Sequence, residues 1–177
     1  MSGESRRVYT GRVVSLDVDT VHFPNGTVGQ LEMVRHPGAS AVVPFFDPLD
    51  DADPRIVLIR QYRYASGGYL YEIPAGRLDP GELPADCAVR ELQEETGYWA
   101  TEVRPLTTFF TTPGFTDERI HLFMAVGLKP GAPSLESDEI LDLHPTTLSR
   151  ALDMVAAGEI VDGKSMLGIL LAARARK

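Results

Sequence analysis

Hydrophobic and polar positions divide the chain into a few clear segments. Residues 8–35 alternate apolar and polar side chains, with Pro24, Asn25 and Gly26 as a turn signal between two such runs, and this pattern predicts two or three antiparallel strands. Residues 39–46 and 55–62 are apolar runs rich in β-branched side chains, separated by the acidic, turn-forming stretch DPLDDADP, and read as core strands. Between 76 and 98 the period changes to that of a helix, starting at Pro84 and stopping before Gly97, with Ala85, Ala88, Val89, Leu92 and Thr96 on one stripe. Residues 103–110 and 118–128 predict two further strands, with Pro113 and Gly114 marking a turn between them. Residues 129–139 have the composition of a loop, and helical spacing begins at Pro145, breaks at Asp162 and Gly163, and resumes to the end. Short strands around one central helix, closed by C-terminal helices, predict an α/β fold: an α/β/α sandwich of mixed sheet carrying a small N-terminal antiparallel sheet.

Composition narrows the function classes. A chain of 177 residues, 44% hydrophobic, suffices for one domain with a real core and a small appended element. The expected division is 1–38 for the N-terminal strands and 39–177 for the main domain. A net charge of −8 argues against a nucleic-acid surface, and the short basic ending ARARK reads as a solvated helix end. The single cysteine, Cys87, excludes an internal disulfide and reads as a packing residue. No run approaches the about 18 apolar residues of a membrane span, and the N-terminus lacks the apolar centre of a signal peptide, so a soluble cytoplasmic protein is expected.

The candidate chemistry lies on the 84–96 helix. Glu91 and Glu95 lie side by side along its apolar stripe, with Glu94 and then Arg90 next around the helix. Like charges one turn apart cost a helix roughly 0.2–0.5 kcal/mol per pair, so helix stability does not account for them. A hard divalent cation, which takes oxygen ligands, does.

Gly76, Glu82, Arg90, Glu91, Leu92, Glu94, Glu95 and Gly97 occupy every fixed position of the Nudix box, and only the last position departs, with Tyr98 where a small aliphatic is usual. The chain is thus identified as resembling Nudix hydrolases, and the proline of PGFTDE (113–118) gives it the look of their ADP-ribose pyrophosphatase group. The resemblance implies hydrolysis of a nucleoside diphosphate sugar. It further implies Mg²⁺ (or Mn²⁺) held by Glu91 and Glu95, with the Ala75 carbonyl and Glu94 completing the shell. Arg90 is expected to orient the glutamates, and Glu82 to support them. Arg63 and Glu118 are implied to contact substrate. Glu136 is implied to be the base, with Asp138 and Glu139 as rivals. A homodimer formed by exchange of the N-terminal strands is also implied. One position departs from the group: many of these enzymes have an arginine where this chain has Leu31, which makes a GDP-sugar the alternative substrate. A non-catalytic, nucleotide-sensing use of the fold is the alternative of another class.

Overall fold

The computed structural model describes residues 2–135 and 140–176, and the chain folds as two compact units, Met1–Gly38 with Phe109–Ile120, and Ala39–Thr108 with His121–Lys177. In the first unit, β1 (Ser2–Thr10), β2 (Ser15–His22) and β3 (Val28–Arg35) form an antiparallel sheet in that order. The Pro24–Gly26 turn closes as the sequence predicts, with Phe23 N–H donating to Thr27 O at 2.9 Å and Gly26 in the left-handed region. The first unit also includes the turn at 109–120, which is bonded to β3: Val34 N–H donates to Phe115 O at 2.8 Å, and Asp117 accepts from the His36 N–H at 2.9 Å.

The second unit contains β4 (Ala39–Pro44), β5 (Arg55–Arg63), β6 (Gly68–Glu72), β7 (Ala75–Arg77), α1 (Pro84–Thr96), β8 (Tyr98–Trp99), most of β9 (Glu102–Phe110) and of β10 (Arg119–Val126), β11 (Lys129–Pro130), β12 (Leu141–Thr147), α2 (Leu148–Ala156) and α3 (Gly163–Ala175). One sheet runs β7-β4-β10-β9 and another β12-β5-β6. Alternation along β4 and β10 explains the layering, because neighbouring residues of a strand face opposite sides. Val42, Phe123 and Ala125 pack with Ala88 and Leu92 of α1. A Cβ placed on Gly168 of α3 would instead meet Val43, Ile73 and Leu122. The two helices therefore cover opposite faces, which is the expected sandwich. No helix among the described residues is long and apolar enough to cross a membrane.

Two expectations change. Helix formation does not begin at Pro145: residues 141–147 form β12, whose Pro145 pairs with Val57, and α2 follows with Thr147 as its cap, its hydroxyl accepting from Arg150 N–H at 3.2 Å. A proline is tolerated here because β12 is the edge strand of its sheet. The buried face of α1 is also rotated from the expected stripe. Ala85 is exposed and Val89 half-buried, whereas Cys87, Glu91 and Glu95 are buried with Ala88, Leu92 and Thr96. Two carboxylates thus take places that periodicity assigns to apolar side chains.

Candidate active site

The site is built where α1 faces the strand ahead of it. Pro84 at the helix start and Gly97 at its end, left-handed at φ 73°, fix α1 where the sequence predicts. Glu95, only 2% exposed, accepts a hydrogen bond from the Ala75 N–H at 3.0 Å. The Glu91 carboxylate lies against Gly76 so closely that any Cβ added there would overlap it. The box glycine thus admits the Glu91 carboxylate to the backbone, and Glu91 and Glu95 meet the chain at the adjacent residues Gly76 and Ala75.

Arg90 organises the rest. Its Nε and Nη2 reach the two oxygens of Glu82 at 2.8 and 3.0 Å, its Nη1 reaches Glu91 at 2.6 Å and Glu94 at 2.9 Å, and Nη2 also donates to Arg77 O at 3.1 Å. Such a fork fixes several carboxylates at once. The Arg90 guanidinium holds the Glu82 carboxyl down at about 2, with help from the Asp79 N–H against the opposing effect of burial. Burial and the adjacent Glu82 and Glu91 push the Cys87 thiol up to about 12. Cys87 is buried, as a packing residue should be.

Among the described residues, no group of three or more His, Cys, Asp and Glu side chains is arranged to hold a metal ion by itself. Arg90 draws Glu91 and Glu94 toward itself, and a ligand set would need a backbone carbonyl besides. The donors present are nonetheless all hard oxygens beside a backbone without a Cβ, the chemistry that suits Mg²⁺ or Mn²⁺ rather than a soft metal.

Arg63, at the end of β5, forks onto Glu72 of β6 through Nε and Nη2 at 2.8 and 2.9 Å. Glu72 is 1% exposed. Burial pulls its carboxyl upward, but Arg63 and Lys164 together outweigh that and hold it below the usual range. Sequence reasoning passed over Glu72, Asp117 and Lys164. The available signal for Glu72 was a charge inside the apolar run YLYEI.

Glu118 lies in the first unit, accepting from the Thr111 hydroxyl at 2.9 Å with His36 Nδ1 at 3.4 Å. It lines a cavity of about 380 Å³ with Val14, Val34, His36 and Phe115. Glu136 and its rivals Asp138 and Glu139 fall outside the described residues. The strand-loop segment leading to them is anchored at the end of α1, where Gly131 N–H donates to Gly97 O at 2.6 Å and Ser134 N–H to Glu94 O at 2.9 Å.

Known proteins resemble this chain over most of its length. The NUDIX domain model matches residues 35–163. A methanol dehydrogenase activator of Bacillus methanolicus is 42% identical over 168 residues, covering 94% of this chain and 88% of its own. An ADP-ribose pyrophosphatase of Bacillus subtilis (strain 168) is 38% identical over 165 residues, 92% of this chain and 86% of its own. The crystal structure of an ADP compounds hydrolase matches with a TM-score of 0.82 over 99% of this chain and 92% of that one; at 22% identity this is evidence of fold. By the extent of the domain match and of its relatives, this chain belongs to the NUDIX hydrolase family.

Proposed function

We propose that the protein hydrolyses the diphosphate linkage of nucleoside diphosphate sugars with Mg²⁺, or Mn²⁺ in its place, and that ADP-ribose is its preferred substrate, giving AMP and ribose 5-phosphate. The observation that carries this is the pair of buried carboxylates, Glu91 and Glu95, seated against the adjacent backbone of Gly76 and Ala75. Its substrate class is supported by the 38% identical ADP-ribose pyrophosphatase.

Glu91 and Glu95 hold the cation, joined by the Ala75 carbonyl and Glu94. A divalent ion bound there supplies positive charge to the diphosphate oxygens and makes water more acidic. Arg90 keeps the glutamates aimed, while Glu82 keeps Arg90 in place. Arg63 meets the diphosphate and Glu118 the sugar. Glu136 takes the proton from the attacking water, a role that rests on the family resemblance. The protein acts as a homodimer through β1–β3, a reading supported by Val8, Tyr9, Val28 and Leu31, which are exposed on that small sheet.

Leu31, which pairs with Asp19, favours a second substrate reading, a GDP-sugar, because an expected arginine is missing there. A sensing module is the remaining competitor, given a relative named as an activator. The intact set of Glu82, Glu91, Glu94 and Glu95 favours turnover.

The test is product analysis on ADP-ribose, ADP-glucose, GDP-mannose, NADH and diadenosine polyphosphates, with Mg²⁺ and after chelation. AMP release from ADP-ribose that stops on chelation, and falls by at least about 10³-fold in Glu95→Gln with nucleotide binding kept, is the expected result. Preference for GDP-mannose would overturn the substrate. Binding without turnover of any compound would establish the sensor instead.

A further inference from the structure

Arg63 carries a problem of charge. Its Nε and Nη2 are both given to Glu72, and among the described residues its Nη1 makes no hydrogen bond. A buried carboxylate facing one guanidinium cancels most of its charge, which would leave little for a diphosphate. Lys164 changes that balance. From the first turn of α3 its Nζ reaches Glu72 Oε2, and it stands 3.0 Å from Asp162 Oδ2. Asp162 is in turn the cap of α3: its carboxylate accepts from the Ser165 N–H at 3.0 Å and from the Ser165 hydroxyl at 2.5 Å, where the helix end favours negative charge. The same Ser165 oxygen accepts the Ile73 N–H at 2.8 Å, two residues before Ala75. The start of α3 therefore grips both Glu72 and the segment leading to Ala75.

We propose that Lys164 is a positioning residue that neutralises Glu72 from behind, so that Glu72 orients Arg63 without absorbing its charge and the Nη1 edge remains for a substrate phosphate. This rests on the reading of Arg63 as a diphosphate contact. Lys164 itself touches no substrate and acts through Glu72.

The test is a cycle of variants on the preferred substrate. Lys164→Met is expected to raise KM about tenfold with kcat within about threefold, and Lys164→Arg to restore KM to within about threefold of wild type. In an Arg63→Ala background, Lys164→Met should change KM no further. A further rise there, or a wild-type KM in Lys164→Met alone, overturns the proposal. If Lys164→Met does not fold, Glu72→Gln is compared with Glu72→Gln/Lys164→Met, in which Glu72 no longer carries a charge and Asp162 keeps its hydrogen bonds from Ser165. Equal KM values are expected, and a difference overturns the role. Failure of the functional reading looks different: wild type would then turn over no compound of the panel.

Discussion

Two arginines in this molecule each gather three carboxylates, and they do so for different ends. Arg90 holds Glu82, Glu91 and Glu94, all from its own helix or the loop that precedes it. Arg35 holds Asp17, Asp19 and Asp117, drawn from a neighbouring strand and from a turn 82 residues away. At Arg35 a second cation, Arg7, shares Asp17, and the Ser5 hydroxyl donates to Asp19 at 2.6 Å. That cluster is close to balanced, and it ties the 109–120 turn to the strands. At Arg90 one guanidinium serves three carboxylates beside a fourth, Glu95, and the cluster adjoins a backbone stripped of a side chain at Gly76. The contrast separates a network that joins segments from one that gathers anionic oxygens around a single guanidinium, where we propose that a cation binds.

The largest effect that could break this contrast is expected at Gly76. Gly76→Ala forces the Glu91 carboxylate away from the backbone, and we expect kcat/KM to fall by about 10- to 100-fold while the unfolding free energy changes by less than about 2 kcal/mol. Steady-state kinetics and urea denaturation of the same preparation decide it; a loss of stability alone would make Gly76 a packing residue. Next comes Arg35→Ala, which removes a guanidinium from two carboxylates less than 10% exposed. Because Arg35 is itself a third exposed, we expect the lower range of such losses, about 2 kcal/mol, read from the urea midpoint, with kcat kept within about threefold. A collapse of kcat at unchanged stability would erase the distinction between the two clusters.

The smallest effect is in pH. The folded state holds Glu82 at about 2 against an ordinary 4.5, so the unfolded chain takes up its proton first as pH falls. The contribution is present above 4.5 and is lost on the way down through about 2. The urea midpoint should drop less between about pH 6 and about pH 3 in Glu82→Gln than in wild type. An identical drop would mean that Arg90 does not hold Glu82 in solution as it does here.

Legibility in the sequence follows the same divide. Contacts made within a few residues were readable: Pro84 and Gly97 bracket α1, the Pro24–Gly26 turn closes β2 onto β3, and Arg90 with its glutamates follows from helical spacing. What depended on distant segments was not. Lys164 meets Glu72 across 92 residues, and nothing in either local pattern announces the pair. Glu91 and Glu95 are buried because the backbone of β7 comes to meet them, which a helical wheel drawn without neighbours cannot contain. Pro145 misled for a related reason, since whether proline begins a helix or sits in a strand depends on whether that strand lies at an edge.

Cys87 lies within this acidic helix, with its sulfur 3.6 Å from the carbonyl oxygens of Gly76 and Arg77, and is kept a neutral thiol until about 12. The thiolate is the form that attacks peroxide and disulfides. Buried and held as a thiol, the chain's single cysteine is placed to react slowly with oxidants.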